Sequence, residues 1–67
     1  MDKLLNLYGK VFDDTGAVKL CGREACKDLI MEMNKHYPYI NFGDIKTGIM
    51  RIDIIKEYVD KYKEEKH

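Results

Sequence analysis

The sequence has no long apolar run, and this absence limits where the protein is expected to reside. Its longest uninterrupted apolar stretches are only a few residues, whereas a helix needs roughly 20 to cross a bilayer. The chain opens Met1-Asp2-Lys3, without the basic region and apolar segment of a signal peptide. We therefore expect no membrane segment and a cytoplasmic location in a microbial or viral setting, where cysteines stay reduced.

The sequence also lacks an excess of charge of either sign. Twelve Lys and Arg residues balance 12 Asp and Glu residues, so the formal net charge is zero. Binding to nucleic acid without sequence preference depends on basic residues that neutralise phosphates. The balance therefore removes the simplest argument for a nucleic-acid-binding protein, and equally the argument for an acidic mimic of DNA.

No catalytic or metal-binding motif is present. The sequence has no nucleophile elbow, phosphate-binding loop or metal-ligand helix. Cys21 and Cys26 are five residues apart, whereas structural zinc sites usually pair cysteines two to four residues apart. His36 and His67 are the only imidazoles. We expect Cys26 to pack in the core, and we predict no bound metal, no cofactor and no enzymatic activity.

The residues that are present have the composition of a folded domain. Apolar residues make up 45% of the chain and include five tyrosines and two phenylalanines, which argues against disorder. The 67 residues suffice for one domain with a small core. We expect residues 1–67 to form a single small domain of marginal stability, which a partner subunit would stabilise further.

The first block, residues 1–22, is compatible with two local structures. Its apolar residues have helical spacing, with Asp2 as N-cap and residues 13–16 as the end; they are Leu4, Leu5, Tyr8, Val11 and Phe12. Gly9 argues against the helix, because glycine costs about 1 kcal/mol relative to alanine there. Residues 8–12 and 17–20 also flank a turn-forming stretch as hairpin strands would. We favour the helix and keep the β-hairpin as the alternative.

The second block, between Gly22 and Pro38, has the clearest helical pattern. Its apolar residues form a continuous stripe at helical spacing: Ala25, Cys26, Leu29, Ile30 and Met33. Pro38 disfavours helical geometry at Tyr37, so we expect this helix to end at about His36.

The third block predicts a ribbon followed by a helix. Residues 39–43 and 49–52 alternate in character on either side of the turn-forming residues 44–48, which indicates a short two-stranded ribbon. Asp53 is the expected N-cap of a closing helix. The buried stripe of that helix comprises Ile54, Ile55, Tyr58, Val59 and Tyr62. The predicted fold class is α+β, mostly helical: helix (or β-hairpin), helix, short two-stranded β-ribbon, C-terminal helix.

Tyrosines and methionines supply the candidate contact surface. Tyr37 and Tyr39 flank Pro38 in a loop, where we expect at least one ring to be exposed. An exposed tyrosine offers a large contact area at low entropic cost, although packing in the core is the alternative role for these rings. Met31 and Met50 add adaptable apolar surface. The candidate partner-binding residues are therefore Tyr37, Tyr39, Met31, Met50 and Tyr62.

The ribbon and the closing helix carry a resemblance to a known class of domains. Residues Phe42–Asp53 followed by Ile54–Val59 resemble the wing and closing helix of small excisionase-type and MerR-type winged-helix domains of phages and mobile elements. The resemblance covers roughly the last third of the chain. It implies that Lys46, at the tip of the wing, and Arg51 contact the DNA backbone.

In this resemblance, the second helix would have to read the DNA. Winged-helix readers place a recognition helix in the major groove, and only a few residues separate the second helix from the ribbon. With the first block as the first helix of the pair, the polar face of this reader offers four residues that could contact DNA: Arg23, Lys27, Asn34 and Lys35. The same face carries acidic residues that repel phosphate: Glu24, Asp28 and Glu32. The candidate nucleic-acid-binding residues are Arg23, Lys27, Lys46 and Arg51.

Two functional hypotheses follow. The first is a non-enzymatic protein-interaction module, a regulator or inhibitor of the phage or mobile-element type that binds a larger host protein. One specific form is an inhibitor of a defence system such as CRISPR, similar to anti-CRISPR proteins. The alternative is a DNA-binding winged-helix or excisionase-like regulator. A homodimer is a further expectation, with the final helix as its seam through Tyr58, Val59 and Tyr62.

Overall fold

Three helices and one ribbon follow one another in the predicted order. The computed structural model describes residues 2–20 and 22–65. The elements are α1 (Lys3–Val11), α2 (Arg23–His36), β1 (Gly43–Asp44), β2 (Ile49–Met50) and α3 (Ile52–Glu65). The α+β, mostly helical class is confirmed, and the first block is a helix. None of the described helices is both long enough and apolar enough to cross a membrane.

Helix α1 forms because its first turn is capped and one of its faces is apolar. The Asp2 Oδ1 accepts a hydrogen bond from the Leu5 N–H at 3.3 Å, as expected for the N-cap. The buried residues of this helix are Leu4, Leu7 and Val11. Gly9 is exposed, with open space where a Cβ would lie. It therefore lowers the helix propensity without permitting any close contact.

The chain folds back after α1 and pairs briefly with the end of that helix, which is the part of the predicted hairpin that the structure contains. Phe12 and Val18 form an isolated antiparallel bridge, and the Lys19 N–H donates to the Val11 carbonyl at 2.7 Å. Phe12 is buried, so this return covers the core at the end of α1.

One carboxylate organises the turn within this return. The Asp13 Oδ1 accepts hydrogen bonds from the Thr15 hydroxyl at 2.6 Å and from the N–H groups of Thr15 and Ala17 at 2.9 and 3.0 Å. These bonds, that of the hydroxyl foremost, hold the pKa of Asp13 below its ordinary value. Gly16 completes the turn with a φ of 87°, a conformation that favours glycine.

Helix α2 has the predicted boundaries. It ends at His36, and the Tyr37 N–H still donates to the Met33 carbonyl at 2.8 Å. Pro38 follows at once, which agrees with its effect on the preceding residue. The predicted apolar stripe is confirmed: Leu29, Ile30 and Met33 are fully buried, and Ala25 and Cys26 pack against the core.

The ribbon is antiparallel and short. Its register pairs Gly43 with Met50 and Asp44 with Ile49. Gly43 has a φ of 144°, and a Cβ at this position would collide with the Ile49 carbonyl oxygen. The close approach of the two strands therefore requires glycine here.

Helix α3 begins two residues earlier than an N-cap at Asp53 predicts. Its first residue is Ile52, so Asp53 lies in the first turn and is not the N-cap. The Arg51 N–H donates to the Phe42 carbonyl, and the Arg51 carbonyl accepts from the Ile55 N–H, so the ribbon leads directly into the helix. Asp53 still interacts favourably with the helix dipole. The predicted stripe is buried at Ile55, Val59 and Tyr62 and half-buried at Ile54 and Tyr58.

Contacts between helix ends define the packing of the three helices. Lys3, at the start of α1, lies 4.0 Å from Glu32 near the end of α2. Tyr62, near the end of α3, donates its hydroxyl to Asp2 at 2.7 Å. Helix α1 is therefore antiparallel to both α2 and α3. The largest fully buried side chains between them are Phe42, Leu4, Leu29, Ile30, Met33, Ile55, Val11 and Val59.

Candidate functional site

The segment that leaves α2 presents an exposed tyrosine on a fixed backbone. Tyr39 is 94% exposed and follows Pro38, whose ring restricts φ. On either side of these two residues, Tyr37 and Ile40 pack against the core, and the Ile40 N–H donates to the Tyr37 carbonyl at 3.2 Å. The turn therefore holds the whole Tyr39 side chain in solvent while both flanking residues are anchored.

Tyr37 belongs to an aromatic cluster that supports this turn. Its ring centroid lies 5.0 Å from that of Tyr58 and 6.3 Å from that of Phe42. Its hydroxyl is buried and has no hydrogen-bond partner among residues 2–20 and 22–65. Burial is also the main reason why the pKa of Tyr37 is raised. Tyr37, a predicted contact residue, is thus placed mainly as a support for Tyr39.

A second exposed apolar area, here called the ribbon end, comprises Val18, Leu20, Ile45 and Ile49. Leu20 is fully exposed and Ile49 is 69% exposed. The turn of the ribbon packs on the start of α2, because a Cβ on Gly48 would lie only 2.7 Å from the Arg23 Cγ. The tip of the ribbon and the segment that precedes α2 therefore share one end of the molecule.

The ribbon end is absent from the sequence-based predictions, although its register contains a signal. Met50 packs against the core. Because neighbouring side chains in a strand point to opposite faces, Ile49 has to face away from the core. Leu20 gives no comparable signal, since no periodic pattern includes it.

The other predicted contact residues lie in different environments. Met31 is 47% exposed, and Met50 is half-buried against the core. Tyr62 is only 6% exposed, and Val59 is fully buried. The surface predicted for Tyr62, and the homodimer seam along α3, are therefore corrected: these side chains fill the core of the protein itself, and of the seam only Tyr58 retains partial exposure.

Opposite the ribbon end, a group of polar residues joins the three helices; this charged end comprises Asp2, Lys3, Glu32, Lys35, His36 and Tyr62. The Glu32 side chain is largely buried, at 11% exposure. It lies 3.5 Å from the Lys35 ammonium group, 3.7 Å from the His36 Nε2 and 4.0 Å from the Lys3 ammonium group. A buried carboxylate needs such partners, because desolvation disfavours its charge.

Tyr62 completes the charged end from α3. Its ring packs edge-on against His36 at a centroid distance of 4.9 Å. The hydrogen bond from its hydroxyl to Asp2, more than burial, raises the pKa of Tyr62 to about 12. Asp2 thus uses one oxygen to cap α1 and the other to hold α3.

Two surface grooves are present in the described part of the chain. The first, of about 150 Å³, lies between α1 and α2 and is lined by Lys3, Leu7, Asp28, Met31, Glu32 and Lys35. The second, of about 260 Å³, is lined by Arg51, Ile52, Asp53 and Ile54. Both are smaller than the roughly 300–1,000 Å³ of typical small-molecule pockets. Each has room for a side chain of a protein partner.

The four residues of the DNA-binding alternative are only partly brought together. Arg23 opens α2 and packs against Gly48, next to the ribbon turn that carries the exposed Lys46. Lys27 lies one turn further along α2, with its ammonium group 3.8 Å from Glu24, which offsets part of its charge. Arg51 lies beyond β2, in the lining of the second groove.

No cluster of three or more His, Cys, Asp or Glu side chains within residues 2–20 and 22–65 could hold a metal ion. Cys26 is half-buried on α2, as its place in the apolar stripe predicted. The predictions that concern Cys21 and His67 lie outside the described residues.

Comparison with known proteins gives this chain no relatives: no family model, no curated protein and no solved structure matches it. The winged-helix resemblance therefore remains a prediction.

Proposed function

We propose that this protein is a non-enzymatic protein-interaction module, a regulator or inhibitor of the phage or mobile-element type that binds a larger host protein. The observation that carries the proposal is the exposure of the entire Tyr39 side chain on an anchored turn. A tyrosine side chain has few rotatable bonds and therefore loses little entropy on binding, and tyrosine is enriched among residues that dominate interfaces. A defence system such as CRISPR is one specific target within this class.

The ribbon end supports the same proposal. Leu20 and Ile49 leave large apolar side chains in solvent at the end of the molecule where the ribbon turn packs on the start of α2. Clustered apolar exposure marks interaction sites more often than single exposed residues do. A protein partner would remove these side chains from water together with Tyr39 or in a separate contact.

An affinity pull-down from host-cell lysate tests the proposal, with nuclease present in one of two parallel samples. We expect a stoichiometric protein partner that survives nuclease treatment and that Tyr39→Ala retains at least tenfold less well (~1.4 kcal/mol). Tyr39→Phe separates the role of the ring from that of the hydroxyl. Lys10→Ala, an exposed truncation on α1, is the matched control. Equal retention by Tyr39→Ala, or the absence of any stoichiometric protein, contradicts the proposal.

DNA binding is a second candidate, favoured by the packing of Gly48 on Arg23, which sets the ribbon turn that carries Lys46 beside the start of α2. This function predicts an affinity that falls steeply with salt. Lys46→Glu combined with Arg51→Glu should weaken binding to duplex DNA and flatten its salt dependence. Lys61→Glu with Lys63→Glu, on α3, makes the same change in charge elsewhere and is the control. If both double variants behave alike, the ribbon does not contact DNA.

A further inference from the structure

We propose that the groove between α1 and α2 receives an amphipathic helix of a protein partner, which places one large apolar side chain between Leu7 and Met31. This inference rests on the proposed function, because the occupant belongs to a protein partner. It adds a second contact site, away from Tyr39, and the chemistry of the segment that fills it.

The shape of the groove fits a single side chain on a helical backbone. Its volume is about 150 Å³, and it lies along two antiparallel helices, with Leu7 from α1 and Met31 from α2. Leu7 is 8% exposed, whereas Met31 is 47% exposed and has no neighbour that covers it fully. Methionine adapts its shape to different partners, and a helix in a groove is a common mode of peptide recognition.

One end of the groove carries more positive than negative charge. The Lys35 and Lys3 ammonium groups lie 3.5 and 4.0 Å from the same Oε1 of Glu32. The Glu32 side chain is 11% exposed, whereas those of Lys3 and Lys35 are 70% and 64% exposed. A partner that approaches from solvent therefore meets two ammonium groups and little of the single carboxylate that they share. A carboxylate on the partner is complementary to this end.

The other end of the groove carries the opposite charge. Asp28 is exposed there and precedes Lys35 by seven residues on the same helix. Seven residues span about 10.5 Å, or two helical turns, so both charges lie on one face of α2. The complementary helix carries an acidic and a basic residue about two turns apart, with a large apolar residue midway between them.

A phage-displayed library of helical peptides, randomised on one face, tests this inference with the full chain as the bait. We expect the selected peptides to share a large apolar residue flanked by an acid and a base two turns apart. Met31→Ala should weaken their binding about tenfold, because the apolar contact is lost. Tyr39→Ala should leave it unchanged, so this test is independent of the pull-down on Tyr39.

Charge reversal at Asp28 identifies which way the bound peptide helix runs along the groove. Asp28→Lys should weaken the selected peptides up to about fivefold, and replacement of their basic residue by Glu should restore the affinity. Lys10→Glu, a reversal on the exposed surface of α1 outside the groove lining, is the control.

Three results overturn the inference. The first is a library that yields no peptides, and the second is a set of peptides that Met31→Ala binds as well as the parent chain does. The third is a homodimer in sedimentation that Met31→Ala dissociates, because the occupant would then be a second copy of this chain.

Discussion

The charged end and the ribbon end of this molecule are stabilised by different parts of the chain. At the charged end, side chains from all three helices bond to one another, with Glu32 and Asp2 as the shared acceptors. At the ribbon end, the order comes from local turns, in which Asp13 and Asp44 accept hydrogen bonds from N–H groups two to four residues further along the chain. All positive-φ glycines in the described residues lie in those turns or in the strand beside them: Gly16, Gly43 and Gly48.

This difference separates stability from recognition. Where short-range turns fix the structure, large apolar side chains such as Leu20 and Ile49 remain in solvent. Where side chains fix the structure, they are consumed by contacts within the protein, as Tyr62 is. The ribbon end is therefore free to vary in sequence at its apolar positions without loss of the fold.

The largest expected effect concerns Phe42, which is fully buried and whose ring packs edge-on against that of Tyr58 on α3. Phe42→Ala should lower the free energy of unfolding by about 3–5 kcal/mol, because it leaves a cavity. Urea unfolding measures the loss, and Tyr39→Ala, three residues away but exposed, should change it little. Separate melting of the ribbon, before the helices, would show that the two ends are not one cooperative unit.

A pair of glycine variants tests the role of the backbone directly. Gly43→Ala should destabilise the protein by about 1–3 kcal/mol or more, because its positive φ and the Ile49 carbonyl exclude a Cβ. Gly9→Ala, in helix α1, meets open space and should stabilise it by up to about 1 kcal/mol. Thermal unfolding distinguishes the two signs. Equal effects would mean that the ribbon does not need its glycine.

Two tyrosine hydroxyls should respond to removal with opposite signs. The Tyr37 hydroxyl is buried without a partner among the described residues, so Tyr37→Phe should raise the free energy of unfolding by about 1 kcal/mol. Tyr62→Phe removes the hydrogen bond to Asp2 and should lower it. Urea titrations of both variants provide the comparison. A loss in Tyr37→Phe would reveal a partner for that hydroxyl.

The smallest expected effect is on the pH dependence of stability, and it comes from the Tyr62 hydroxyl at high pH. Its pKa is raised from 10.0 to about 12, so the folded state favours the protonated hydroxyl. The resulting stabilisation is complete below pH 10 and is lost as the pH rises from 10 through about 12. Between pH 10 and about 12, the free energy of unfolding should fall more steeply with pH for the parent chain than for Tyr62→Phe. Urea unfolding at a series of pH values measures it. Burial also raises the pKa of Tyr8 and Tyr37, and this background is common to both proteins.

The sequence predicts the helices well because local physics decides them. Apolar spacing defines α2, Pro38 ends it, and the Asp2 carboxylate caps α1. The predicted cap at Asp53 fails for a reason that is not local. The Arg51 backbone is already fixed by its bond to Phe42, so the helix starts at Ile52 without a side-chain signal.

The candidate contact surface is less predictable, because exposure depends on the whole fold. Tyr39 and Met31 are exposed as predicted from their positions, but Tyr62 finds Asp2 as its partner 60 residues earlier in the chain. The spacing of apolar residues along the sequence cannot predict a contact between residues so far apart. Leu20 and Ile49 are missed for the converse reason: an apolar residue is expected inside, and only the three-dimensional arrangement leaves these two uncovered.

The bond between Asp2 and Tyr62 also makes the connectivity of the chain adjustable. It brings the start of α1 and the last turns of α3 side by side, so a short flexible linker can join the two ends of the described chain. New termini can then be opened in the exposed turn at residues 13–15, where the chain crosses no core contact. A permuted chain of this kind would keep all three helices. Its new termini, and any affinity tag fused to them, would lie near the ribbon end instead of the charged end.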